Sequence, residues 1–208
     1  MSIPAHWIES AAALLQANQL QALRKLCQQV LAPISQADQT ENRAYAHYFL
    51  GLSWAESNPE SALEAYLHAI EGIPNHPDFL RQTAHLLRRM GKEAEALNYY
   101  QQVVQLTPKQ VDSRINLLLM LRQTSNWQAL SEALTLTRVD FPDNPSLAEL
   151  QTKLWIRAHQ GLAEKAHQGQ DYPTAFSHYQ TAFLAQRGQP WSHQSAPIPA
   201  VDLPPLLR

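Results

Sequence analysis

The chain has 208 residues, 45% hydrophobic and 16% charged, enough for an ordinary folded protein of one or two domains. Its net charge of −2 gives no global field for nucleic acid or an anionic membrane, and its single cysteine excludes an intramolecular disulfide. No apolar run reaches the roughly 18 residues that a membrane-spanning helix needs.

Residues 5–16 and 19–34 read as a first helix pair. Trp7, Ala11 and Leu14 form one stripe, and Leu20, Leu23, Cys27 and Val30 form another. Spacings of three and four place each set on one helix face. In that stripe Cys27 reads as a small buried hydrophobe rather than a reactive thiol. Asn18 marks the turn, and Pro33 with the polar run after it ends the pair. The start, MSIPAHWIESAAALLQ, lacks the basic region and long apolar core of a signal peptide, so the expected location is cytoplasmic.

The second pair spans 42–56 and 60–72. Asn58 is the expected N-cap of its second helix and Pro59 the first helical residue. The third pair spans 77–90 and 93–106, with a tight turn at Gly91 and a closing Pro108. The fourth spans 111–124 and 127–140, broken at Ser125-Asn126. Its expected inward residues are Leu117, Leu118 and Leu121, then Leu130, Leu134 and Leu136.

These pairs repeat. Ala62, Tyr66, Ala69 and Pro74 precede Ala96, Tyr100, Val103 and Pro108 by 34 residues, and Leu130, Leu134, Thr137 and Pro142 follow by 34. A fixed period of this length marks a stacked helical-hairpin array. Ala175, Tyr179 and Ala182 repeat the pattern once more, but 11 residues late. Eleven residues are close to three helical turns, so the insertion lengthens one helix, 146–168, without turning its buried face far. Asn144-Pro145-Ser146 supplies its start. From Arg187 onward the prolines multiply and helical periodicity is lost, which reads as an extended tail.

The recurring small residue, large aromatic and closing proline resemble the tetratricopeptide repeat (TPR). Leu50-Gly51 and Trp54 match its first helix. Ala62, Tyr66, Ala69 and Pro74, then Ala96, Tyr100 and Pro108, then Ala175, Tyr179 and Ala182, match its second, and Trp7 matches the opening aromatic. The resemblance implies an all-α, right-handed α-solenoid of antiparallel helix pairs, which the Pro-rich C-terminal tail read above then follows. The expected organisation is a repeat domain over 1–187, in units of about 4–37, 38–76, 77–110, 111–145 and 146–187, with a tail or linker over 188–208.

The resemblance further implies that the first helix of each pair lines a concave face. Helical spacing then selects the residues. With Leu80, Ala84 and Leu87 buried, Arg81, His85 and Arg88 form a stripe at i, i+4 and i+7. The helix before offers Tyr45 and Tyr48. The helix after offers Asn116 and Arg122, and the long helix offers Arg157. The expected ligand is a peptide or protein with apolar anchors and an acidic group. Tyr45 and Tyr48 would pack on the anchors, and the arginines would pair with carboxylates.

The lysine–asparagine set by which some TPR modules clamp a chaperone C-terminus is absent, since Tyr48, Leu52, His85 and Leu119 stand at its places. No H-E-x-x-H, phosphate-cradling glycine loop or nucleophile elbow occurs; His159 and His167 stand eight apart on one helix, and His47, His68, His76, His85 and His178 lie in different helices or loops. Neither catalysis, a metal, a cofactor nor a nucleic-acid partner is therefore expected of this chain. The favoured function is a binding scaffold, alone or as the front module of a larger enzyme. The alternative is an assembly subunit that self-associates, through the long helix 146–168 or the tail, or docks in a multiprotein machine.

Overall fold

The computed structural model describes residues 6–32, 40–142 and 144–188. The proline-rich tail expected after Gly188 and the break expected at Pro33 lie outside the described residues. The described residues form ten α-helices: α1 (Trp7–Gln16), α2 (Leu20–Leu31), α3 (Thr40–Trp54), α4 (Pro59–Gly72), α5 (Pro77–Arg89), α6 (Glu93–Leu106), α7 (Val111–Gln123), α8 (Trp127–Asp140), α9 (Pro145–Gln168) and α10 (Tyr172–Gln186). They divide into two compact units, Met1–Ser113 and Arg114–Arg208.

Helix starts follow from local chemistry. Asn58, Asn144 and Asp171 each precede a helix with proline in its first turn. Each accepts a hydrogen bond on its side-chain oxygen from the backbone N–H three residues on. These caps satisfy donors that the helix itself leaves unpaired.

The ends of α1, α5, α7 and α9 share one turn. Asn18, Gly91, Ser125 and Gln170 all adopt positive φ, from 53° to 76°. After each, the next residue's N–H reaches five residues back: Gln19 to Leu14, Lys92 to Leu87, Asn126 to Leu121 and Asp171 to Ala166, at 2.9–3.0 Å. This is the Schellman closure, which satisfies the last carbonyls and reverses the chain. The α3–α4 turn differs: Ser57 and Asn58 both donate to the Trp54 carbonyl, without a left-handed residue.

In the first unit, α1 and α2 bury Trp7, Ala11, Leu23, Cys27 and Val30 against Ala46 and Phe49 of α3. Burial pushes the Cys27 thiol up to about 12, so it behaves as the expected inert hydrophobe. Ala44, Ala69 and Phe79 join α3, α4 and α5, and Ala62 and Tyr66 pack with Leu86. Small residues let the helices approach closely: a Cβ on Gly51 would lie 2.4 Å from the Tyr66 ring.

In the second unit, Leu117, Leu118, Leu121, Leu130 and Leu134 are buried as expected. Leu136 is not; it is 58% exposed, because two residues beyond Leu134 lies on the opposite side of the helix. The long helix α9 runs 24 residues and buries Leu147, Gln151, Leu154, Trp155, Ala158 and His159. Trp155, in the added turns, is core. Trp127 of α8 packs where a Cβ on Gly161 would stand, at 2.4 Å.

Candidate functional site

Helix α5 is the best-formed amphipathic helix of the first unit. Phe79, Leu80, Thr83, Ala84, Leu86 and Leu87 are buried, which leaves Arg81, His85 and Arg88 along the opposite edge. Arg81 is held by Asp78, one turn earlier, in a hydrogen-bonded ion pair. His85 is half-buried. Its Nδ1 lies 3.0 Å from the hydroxyl of Tyr100 on α6, and the two rings meet edge-on. Burial, then the neighbouring Arg88 and Arg81, lower the His85 pKa and keep the imidazole neutral near pH 7. Arg88 is exposed and has no carboxylate partner among the described residues. Its neighbour Arg89 is committed to both carboxylate oxygens of Glu56, at 2.6 and 3.0 Å.

Tyr45 and Tyr48, from α3, join one aromatic cluster. Tyr48 stacks on Phe79 at 4.7 Å between ring centroids, and Tyr45 meets Phe79 edge-on at 5.3 Å. His76 stacks on Phe79 at 4.0 Å, and its Nε2 is 3.1 Å from the Tyr45 hydroxyl. Phe79 is fully buried, so the tyrosines form the outer layer of the cluster. Burial raises the Tyr48 pKa to about 12 and raises that of Tyr45, so both hydroxyls stay neutral. Asp78 and Arg81 both act electrostatically on Tyr48, which places the aromatic layer beside the basic strip. Tyr45, Tyr48, Arg81, His85 and Arg88 thus lie along adjoining parts of α3 and α5.

The other sequence-derived residues lie in the second unit. On α7, Asn116 is half-buried and Arg122 exposed. Arg157 of α9 covers the Trp127 ring at 4.7 Å and pairs with Glu164 at 3.3 Å, so its guanidinium is already occupied.

Several pairings escaped the sequence reading. The histidines expected to stand apart meet in twos: His159 and His178 share a 3.0 Å contact between Nδ1 atoms, and the His47 and His68 rings lie 5.0 Å apart. Arg24 stacks over Trp54 at 3.3 Å and donates to Ser53. Arg114 is buried and pairs with Asp140. Among the described residues, no three metal-ligating side chains converge, and no helix is long and apolar enough to cross a membrane.

No family model and no curated protein sequence matches the chain. Solved structures do. YrrB, described as a TPR protein with an unusual peptide-binding site, is 19% identical; the match covers 88% of this chain and 90% of YrrB, with a TM-score of 0.58. A MamA structure is 14% identical over 93% of this chain and 96% of that one, at a TM-score of 0.53. Another MamA structure, a double mutant, is 16% identical over 90% and 98%, also at 0.53. The chain has the tetratricopeptide-repeat fold.

The TPR fold explains which residues are structural. Ala62, Tyr66, Ala96 and Tyr100, which carry the repeat, are all buried, as are Leu130 and Leu134 in the leucine-substituted copy. Tyr100 has a second role beyond the repeat, because its ring fills the α5–α6 seam while its hydroxyl reaches His85.

Proposed function

We propose that the chain is a TPR module that binds a peptide or protein segment through the α3–α5 surface of its first unit. The segment has apolar side chains that lie on Tyr45 and Tyr48 and an acidic side chain that pairs with Arg88. The observation that carries this reading is Arg88 itself. It is an exposed guanidinium with no carboxylate partner among the described residues, on the strip where Arg81 is already paired and His85 is neutral. A planar guanidinium suits two-pronged recognition of a carboxylate. Arg122 and Asn116 belong to the second unit and are not part of this surface. Arg157, also in the second unit, is already paired with Glu164.

The net charge of the strip favours a carboxylate over a phosphate. Arg81, Arg88 and Asp78 sum to a single positive charge with His85 neutral, which matches a monoanion. An array of defined peptides, with matched acidic and amide versions, tests the reading against wild type, Arg88→Glu and Arg81→Glu. Loss of acidic peptides from the Arg88→Glu pattern is expected. An unchanged pattern in both variants overturns the assignment. The reading fits a stand-alone adaptor or the recruiting module of a larger enzyme, and the length of the full reading frame separates them.

A second reading, self-association, is favoured by a different surface. Leu136 and Val139, three residues apart on α8, are 58% and 72% exposed. Light scattering over a range of concentrations, with Leu136→Lys and Val139→Lys, tests it. A wild-type mass that stays monomeric at high concentration overturns it.

A further inference from the structure

His85 differs from the two arginines that flank it, because its charge is not fixed. Its Nδ1 is engaged by Tyr100, while its Nε2 has no partner among the described residues. The charged groups acting on it are Arg88 and Arg81, both of its own helix, with Asp78 bound to Arg81. From α6 it faces the Tyr100 hydroxyl; α4 and α3 meet α5 with the rings of Tyr66 and Tyr48, which do not ionise near neutral pH. Partial burial, and then two positive neighbours, therefore keep the unliganded imidazole uncharged.

A carboxylate placed against Arg88, beside the Arg81–Asp78 pair, shifts that balance. It removes the repulsion and supplies an acceptor for Nε2–H. The imidazolium then has both N–H groups satisfied: Nδ1–H by the Tyr100 oxygen and Nε2–H by the carboxylate. We propose that the α5 strip binds a peptide carboxylate with uptake of a proton by His85, which Tyr100 positions for that contact. The proton comes from solvent and leaves with the ligand. This rests on the peptide-binding reading above and adds its proton linkage. By that linkage, affinity increases as pH falls through the range between the His85 pKa values of the bound and free states, by at most about tenfold per pH unit. A peptide carboxylate with an ordinary pKa near ~4 stays ionised throughout.

The test uses a fluorescein-labelled peptide with glutamates spaced between leucines and its glutamine counterpart. Binding to the full chain is measured between about pH 7.5 and 5.5, with calorimetry in two buffers of different ionisation enthalpy. The glutamate peptide is expected to bind several-fold tighter at the acidic end, with proton uptake shown by a buffer-dependent heat. The glutamine peptide shows neither. His85→Gln, which keeps a donor without titrating, is expected to bind with no pH dependence. Tyr100→Phe, which keeps the buried ring, is expected to reduce proton uptake while Arg88 still binds. Arg88-dependent binding with neither pH dependence nor buffer dependence overturns the linkage and leaves the peptide-binding reading standing. Absence of any Arg88-dependent binding to either peptide overturns both.

Discussion

The ring of Tyr66 occupies the space that a side chain on Gly51 would need. A Cβ there would lie 2.4 Å from two ring atoms, and the ring is almost wholly buried, so it has little room to retreat. Gly51→Ala gains about 1 kcal/mol of helix propensity but forces an overpacked core, at a cost of about 1–3 kcal/mol. A net loss of about 1 kcal/mol is expected, read as a lower urea midpoint. The contact at Gly161 is as close, but Trp127 is only half-buried and has room to shift. Gly161→Ala is therefore expected to cost less than Gly51→Ala. The reverse order would contradict this account of helix approach.

Gly91 presents the opposite case. Its φ is +76° and nothing lies within 4 Å of the place a Cβ would take, so only backbone conformation opposes substitution. Gly91→Ala is expected to lose about 1–2 kcal/mol. Ser125 and Gln170 hold the same left-handed position with side chains. Ser125→Gly and Gln170→Gly are expected to raise stability, by up to about 1 kcal/mol each, in thermal or urea unfolding. A loss in both would mean that their side chains, rather than backbone geometry, hold those turns.

Arg114 is the buried member of an ion pair whose other member, Asp140, is half-exposed. Removing the carboxylate leaves a guanidinium in a site with little water. Asp140→Asn is expected to cost about 1–3 kcal/mol, below the cost of breaking a fully buried pair. The double change Arg114→Leu with Asp140→Asn is expected to recover part of that loss. A double change that costs as much as Asp140→Asn and Arg114→Leu alone added together would show that the pair does not act as a unit.

Acid sensitivity should trace to the histidines. Burial is the leading cause of the lowered pKa of His47, His85 and His178. At neutral pH each is uncharged in both folded and unfolded chains. Below about pH 6.5 the unfolded chain binds protons first, so stability falls with pH until the folded-state values are passed. The Nδ1 contact between His159 and His178 adds to this, because it needs one ring nitrogen without a proton. Urea midpoints are expected to hold above pH 7 and drop on acidification. His178→Gln should flatten the drop, whatever its effect at neutral pH. An unaltered slope in that variant would remove His178 from the explanation.

Helices were legible in the sequence because their limits are written locally. Asn58-Pro59 and Asn144-Pro145 announce starts, Gly91 announces a reversal, and the late return of Ala175 and Tyr179 gives the length of α9 to within a residue. The buried face of α5 was equally legible from the spacing of Leu80, Ala84 and Leu87. The engagement of the side chains on its other edge was not. Periodicity says that Arg81 and Arg88 share an edge; it does not say that Asp78 occupies Arg81 while Arg88 has no carboxylate partner among the described residues. Tyr100 was readable as a core aromatic, but its hydrogen bond to His85 depends on how two helices pack across their seam. The same holds for Arg24 on Trp54 and for His159 with His178, whose partners lie 19 to 30 residues away. Leu136 misled although its place was readable, since a spacing of two from Leu134 puts it on the opposite side of the helix.

The four Schellman turns have a bearing on how the chain acquires its structure. Each closes on backbone atoms five residues apart, so a hairpin corner forms from a handful of neighbouring residues before any distant segment arrives. The helices that flank it then find each other over a short separation along the chain. Contacts this local cost little loop-closure entropy. A segment emerging from the ribosome two helices at a time could begin to fold without waiting for the rest.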